Sequence, residues 1–349
     1  MSYKRKYIIG PYCEETIFNA GGKFPKDIIT IFLRHGYQAI GFRELYGGFG
    51  WRYVRDYLLD WIRLIKIPAK SLVVYIDQVA PIKSRHLAYR LLQKKRCYII
   101  PLLEDIDTLR NTYGNSVDNY ELSLLKNTKA IISQNSRMTQ YLNNQGFDQP
   151  IIDLQLLDFL DDTHRIPESS ESHMTVCYGG NLSIRQSGFL TKLSKSKIEY
   201  LIFGNGELSG IEKINVRYCG DFTVDECISK LRGDWGLVWN GQALSIDQND
   251  VGATYYNYVT PHKLSMYILC GMPVIVYEGA AAAEYVKKYH CGITIRSLDN
   301  LEERLSQISN DEYITMQENV LELAKKISKG YFTEQAINKL DDILIHACR

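Results

Sequence analysis

Ser71-Leu72-Val73-Val74-Tyr75-Ile76 is a run of six residues that is apolar at every position but the first. A strand with one wet face alternates polar and apolar residues. A strand without that alternation is buried on both faces, as in a parallel sheet covered by helices. Cys97–Leu103, Ala130–Asn135 and Pro150–Leu156 repeat the pattern, with helical stretches such as Lys26–His35 and Ser136–Asn144 among them. Gly36 and Gly146 follow those two helices where a left-handed residue commonly ends a helix. Strand, helix, strand at this spacing is the βαβ unit of a doubly wound α/β fold.

The polar, aperiodic segment Asp161–Ser172 interrupts the alternation. It restarts with the strands His173–Tyr178, Glu199–Phe203, Trp235–Trp239, Met272–Tyr277 and Gly292–Arg296. Among them lie helical patterns at Val224–Leu231, Pro261–Leu269, Ala280–His290 and Asp311–Lys329. The expected layout is a Rossmann-like domain over 1–160, a linker over 161–172, and a second Rossmann-like domain over 173–332. A terminal helix over 333–349 has no strand after it and is free to pack back on the first domain. Open α/β sheets bind ligands beyond the carboxyl ends of their strands, so two such domains facing each other would form a cleft there.

The 349 residues are 45% hydrophobic and 23% charged, which is enough apolar matter for more than one core and excludes disorder as the main state. Lys and Arg total 41 against 40 Asp and Glu. Phosphate backbones attract a clear basic excess, so no nucleic-acid partner is expected. The eight cysteines include no C-x-x-C pair and mostly sit in apolar runs, as reduced core thiols do in the cytosol. Met1–Lys6 is basic, but the apolar stretch after it is too short for a secretion signal. No run approaches the ~20 apolar residues of a membrane span. A soluble, cytoplasmic protein is expected.

Three loops carry candidate chemistry. Tyr178-Gly179-Gly180-Asn181-Leu182 leaves the first strand of the second domain. Gly180 and Asn181 would let a ligand approach the backbone, and Arg185 would add a charge-assisted contact to a phosphate. There is no G-x-G-x-x-G, and the turn taken alone also fits plain chain reversal. Phe203-Gly204-Asn205-Gly206 closes the next strand on the same sheet edge, making Gly204 a second wall of a crevice. Tyr255 to Leu264 then runs from a polar loop into a helix, with Thr260 predicted as N-cap and Pro261 in the first turn. Lys263 falls in that turn, where the macrodipole disfavours a cation unless an anion is bound there. Glu278 ends the strand Met272–Tyr277, placed to accept bonds from sugar or ribose hydroxyls or simply to cap a helix.

These residues resemble a known family. Tyr178–Leu182, Gly236–Gly241, Asn257–Leu264 and Gly271–Val276 are similar to the nucleotide-sugar domain of GT-B glycosyltransferases. The likeness is to the bacterial β-1,6-galactofuranosyltransferase-like family, which includes the glucosyltransferase acting on streptococcal serine-rich adhesin glycans. Asn19-Ala20-Gly21-Gly22-Lys23 and Leu103–Arg110 extend the likeness into the first half. The resemblance implies a GT-B fold, a UDP-sugar donor bound by the second domain, and an acceptor bound by the first. Lys263 would neutralise the diphosphate, Asn257, Tyr258 and Thr260 would line its site, and Glu278 would lie near the ribose or donor sugar. Gly21 and Gly22 would belong to an acceptor-side loop.

Many retaining GT-B enzymes carry two glutamates with seven residues between them, whereas Glu278 and Glu284 are separated by only five. Inversion is therefore expected, and it needs a general base. Asp105 follows the strand Cys97–Leu103 and is the expected base, with helix capping as its plainer role. Asp105-Ile106-Asp107 also spells D-x-D, but in the wrong domain for the donor. Lys263 and helix dipoles would do a metal's work, so neither metal nor cofactor is expected, the UDP-sugar being a co-substrate. The acceptor would be a glycan, a glycoprotein or a lipid-linked sugar, and a homo-oligomer is allowed. Trp51–Lys66 is aromatic and basic, as membrane-surface helices are, although Asp56 and Asp60 interrupt its charge and favour packing or a subunit contact. A lipid-linked acceptor would still bring the protein to the inner face of the membrane. A sugar-nucleotide epimerase, or a silent homologue that stabilises a partner transferase, are the competing functions.

Overall fold

The computed structural model describes residues 5–11, 20–42, 51–77, 83–106, 109, 118–162, 172–206, 211, 215–246 and 249–346. Outside them lie most of the polar stretch expected as a linker (163–171), Asn19, Asp107, Thr108, Arg110 and two of the cysteines, Cys13 and Cys348. The chain forms two compact units. One gathers Met1–Glu15, Pro25–Leu154 and Thr333–Arg349, and the other Thr16–Phe24 and Gln155–Phe332.

The first unit holds β1 (Lys6–Gly10), β2 (Gln38–Gly41), β3 (Leu72–Asp77), β4 (Tyr98–Leu103), β5 (Ile131–Ser133) and β6 (Ile151–Asp153). They pair in parallel in the order β2-β1-β3-β4-β5-β6, so the winding reverses between β1 and β3. Tyr7, Ile9, Val73, Tyr75 and Ile99 line one face, against Leu64 of the helix Trp51–Lys66 and Tyr89 and Leu92 of the helix Lys83–Lys94. The terminal helix Tyr331–His346 belongs to this unit from Thr333 onward, and Asp341 on it pairs with Lys6 of β1 at 3.0 Å.

The apolar runs of the sequence become β3 to β6, but β1 and β2 were not among them. β2 is an edge strand whose residues are exposed or half-buried, so it lacks the fully apolar signature. A second difference concerns the first helix, which spans Ala20–Arg34 rather than starting at Lys26. Gly21 and Gly22, expected in an acceptor-side loop, form its first turn. Residues 16–24 also cluster with the second unit, not the first. Tertiary anchoring overrides the poor helix propensity of a Gly-Gly pair followed by Pro25. Lys23 is buried, donates to the Leu160 carbonyl at 2.7 Å and lies 4.7 Å from the centre of the Phe159 ring, while Phe24 is also buried.

The second unit holds β7 (Thr175–Gly179), β8 (Glu199–Phe203), β9 (Val216–Tyr218), β10 (Trp235–Val238), β11 (Val274–Tyr277) and β12 (Gly292–Ile295). All pair in parallel, in the order β12-β11-β10-β7-β8-β9. Alternate residues feed two separate cores. Cys177, Leu201, Val238 and Val276 pack with Leu264 and Ile268 on one side, and Val176, Ile202, Leu237 and Ile275 with Phe189 and Leu301 on the other. That double burial is why these strands read as unbroken apolar runs. The order reverses between β7 and β10, and the crevice beyond their carboxyl ends is where such a sheet takes a ligand.

Candidate active site

Two glycine turns meet at this edge of the second sheet. Gly180 N–H donates to the Phe203 carbonyl at 3.0 Å, and Leu182 N–H to the Asn205 carbonyl at 2.9 Å. Gly204 has φ of +141°, and a β-carbon there would stand 1.8 Å from the Gly180 carbonyl oxygen. Gly204 thus shapes the crevice by letting one turn lie on the other. Asn181 is exposed, and its side-chain oxygen accepts from Ser183 N–H at 2.9 Å, which holds the turn's exit.

The helix His262–Leu269 begins beside this turn. Its cap differs from the expectation. Pro261 stands at the N-cap with extended backbone (φ −70°, ψ 141°) and Thr260 precedes it, fully enclosed, so proline's fixed φ serves the chain's entry rather than the first turn. Lys263 and Tyr267, one turn apart on the same helix face, both reach β7. Gly179 N–H donates to the Tyr267 hydroxyl at 2.7 Å, and a β-carbon on Gly236 of β10 would stand 2.3 Å from the Tyr267 ring. The missing side chain at 236 is what admits the tyrosine.

Lys263 lies over Gly180. A β-carbon on Gly180 would come within 3.3 Å of its Nζ, and Nζ is 4.6 Å from the Tyr178 ring centre. Desolvation disfavours the ammonium, but the neighbouring phenol groups of Tyr178 and Tyr256 outweigh that cost and raise its pKa above the ordinary lysine value. The Tyr178 hydroxyl lies 2.7 Å from Ser187 Oγ, which donates to the Asn181 carbonyl at 2.5 Å. Tyr178 thus stands between the ammonium and Ser187, which ties back to the glycine turn. Tyr178, Tyr256, Ser187 and Tyr267 were not singled out by sequence. The spacing of Lys263 and Tyr267 was the available signal, once the helix was known to end at the turn.

Asn257 and Tyr258 sit in and after a single 3-10 turn, Tyr255–Asn257, which is tied to the next helix by Ala281 N–H donating to the Tyr256 carbonyl at 2.9 Å. Asn257 Oδ1 is enclosed and has no hydrogen-bond partner among the described residues. Arg185 lies on the short helix Ile184–Ser187 and, with Lys192, Gln242, Asn249, Asp250 and Gly252, lines a cavity of about 590 Å³ whose lining does not include Lys263. Asp250 caps the residues after it, accepting from Gly252 N–H at 2.9 Å. Glu278 is exposed and paired with Arg296 at 2.7 Å, so an external partner already occupies one of its oxygens.

In the first unit, Asp105 lies two residues past the end of β4 and is half-buried. The Gln134 side chain donates to the Glu104 carbonyl before it, and Ile106 after it is fully buried, which fixes the backbone on both sides. The described cysteines form no disulfide with one another. Burial pushes the thiols of Cys227 and Cys291 up to about 12, so both stay protonated and neither is a nucleophile. Around Lys263 the chemistry on offer is anion binding: a fixed ammonium, a glycine turn open to close approach and the start of a helix.

Comparisons with known proteins give the family and the fold. Residues 5–156 match the model of the N-terminal domain of glucosyltransferase 3-like proteins, and residues 176–340 match the C-terminal domain. The β-1,6-galactofuranosyltransferase WbbI of Escherichia coli strain K12 is 26% identical over 333 residues, covering 93% of this chain and 96% of that protein. Glucosyltransferase 3 of Streptococcus gordonii is 30% identical over 137 residues, 39% of this chain. Among solved structures, HepE of Anabaena in complex with UDP and glucose shares the fold, with a TM-score of 0.63 at 12% identity, covering 97% of this chain and 99% of that one.

Proposed function

The chain belongs to the glucosyltransferase 3-like family, and from that premise we propose that it transfers a hexose from a UDP-sugar to a glycan acceptor in the synthesis of bacterial surface polysaccharide or adhesin glycoprotein. Its fold is GT-B. The observation that carries the reading is Lys263. As the sugar leaves, negative charge grows on the diphosphate, and a cation fixed at a helix start favours that state over the bound substrate. The ammonium lies beside Tyr178 and over Gly180, where a phosphate oxygen at the glycine turn would accept from it. The enclosed Asn257 Oδ1 awaits a donor, and a ribose hydroxyl or a uracil N–H would supply one. Arg185 lines a cavity of its own in the same unit, of a size that suits a hexose or a nucleoside.

The stereochemical reading is inversion. UDP-hexoses carry an α linkage, and the name of the E. coli relative states a β product, which requires one displacement at the anomeric carbon. The ion pair with Arg296 also draws Glu278 away from a nucleophile's role. Asp105 is the proposed base, and the cation at Lys263 stands in place of a metal. A panel of UDP-hexoses scored by thermal shift identifies the donor, since the true one raises the melting temperature most. Turnover with that donor should survive EDTA, and NMR of the first-formed product should show the β anomer. Loss of activity in chelator, restored by manganese, would overturn the metal-free reading, and an α product would overturn inversion.

A further inference from the structure

One face of the first unit combines a stripe of exposed apolar residues with exposed cations, and we propose that it docks on an anionic lipid bilayer. The helix Trp51–Lys66 turns Leu64 into the core and leaves Val54, Leu58, Ile62 and Ile65 41–56% exposed along one stripe. The neighbouring helix Lys83–Lys94 packs on the same sheet face and exposes Leu87. Isolated exposed leucines need no explanation, but a stripe at helical spacing does.

Charge decides what covers it. Residues 51–70 and 83–96 contain eleven Lys and Arg and two Asp, in a chain whose net charge is +1. One of the two, Asp60, is fully buried and bound by Arg63 at 3.1 Å, so it interrupts the helix's inner face and not its outer one. Arg55, Lys66, Lys70, Arg90, Lys94 and Arg96 are exposed around the apolar stripe. A second copy meeting this face symmetrically would set cations against cations. Nucleic acid would match the charge but leave the apolar stripe unburied. Anionic headgroups over an acyl layer satisfy both. No helix among the described residues is long and apolar enough to cross a membrane, so the contact is peripheral.

The inference goes beyond the transferase reading and does not rest on it. Flotation of the full chain with phosphatidylglycerol/phosphatidylethanolamine vesicles, and with pure phosphatidylcholine vesicles, tests it. Two double variants are compared, Leu58→Ser with Ile62→Ser and Lys66→Glu with Lys94→Glu, each checked for unchanged melting temperature and UDP binding. The expected result is binding to the anionic vesicles at least about tenfold tighter than to phosphatidylcholine, weakened by salt, and weakened about tenfold by either pair of substitutions. Absence of binding to anionic vesicles, equal binding to both compositions, or variants that bind like wild type would each overturn it. Light scattering that shows self-association abolished by Leu58→Ser with Ile62→Ser would assign the face to a second copy instead.

Discussion

Lys263 and His262 are chain neighbours with opposite electrostatic fates. The lysine's pKa is raised, because the phenol groups of Tyr178 and Tyr256 beside it outweigh the cost of its burial. The histidine is enclosed between Phe159, stacked at 5.0 Å, and the edge of Phe24, and burial pulls its pKa down to about 4. Replacing Lys263 by Ala should therefore weaken UDP binding by about 1.5–3 kcal/mol, the worth of a charge-assisted hydrogen bond, with little change in melting temperature without ligand. Calorimetry that returns wild-type affinity would remove the lysine from the site. For His262 the folded state holds the neutral ring, while the unfolded chain takes up a proton below about pH 6.5. Stability should thus be fully present above pH 6.5 and fall by roughly 3 kcal/mol as the pH drops towards 4. His262→Phe keeps the stack and removes the titration. Denaturation curves at pH 7 and pH 4.5 should show a smaller difference for the variant, and equal differences would refute the assignment.

At the scale of elements, legibility followed burial. Strands covered on both faces, such as β3, β4, β8 and β11, announce themselves as apolar runs. The edge strands β2 and β9 do not, because their outer residues meet water: Arg217 and Tyr218 of β9 are exposed. β1 is central, but at five residues it was too short to stand out next to a basic terminus. Glycine turns were visible while their purpose was not. The sequence suggested that Gly204 faces a ligand, whereas its hydrogen side faces the Gly180 carbonyl. Gly204→Ala combines a left-handed backbone with a collision at 1.8 Å, so it should cost more than about 2 kcal/mol and weaken UDP binding by displacing the turn under Lys263. Urea titration that finds the variant within about 0.5 kcal/mol of wild type would show the two turns to be independent. The cluster of Lys263, Tyr178 and Ser187 has no signature at all, since it joins β7, a short helix and a helix some eighty residues later in the chain.

At the scale of the whole molecule, two sheets with different strand orders divide two tasks. The second unit reverses its winding between β7 and β10, where the cation lies, and the first between β1 and β3. Asp105 lies two residues past the end of β4, one strand beyond that reversal, while Asp77 ends β3 at the reversal itself. A base must contact the acceptor hydroxyl and has no part in holding UDP, so the units should be separable by kinetics. Asp105→Asn keeps the size of the side chain and most of its hydrogen-bonding capacity while removing its basicity. If Asp105 is the base, kcat falls by roughly 10²–10⁴-fold. UDP affinity stays unchanged, because Lys263, Gly180 and Asn257 all belong to the other unit. If Asp105 serves only to cap the chain after β4, the variant loses about 1 kcal/mol of stability or less and turns over near the normal rate. Measuring kcat, UDP affinity and melting temperature on this one protein separates the outcomes. A variant with normal kcat transfers the role to Asp77, whose place at the end of β3 puts it where the first sheet itself reverses.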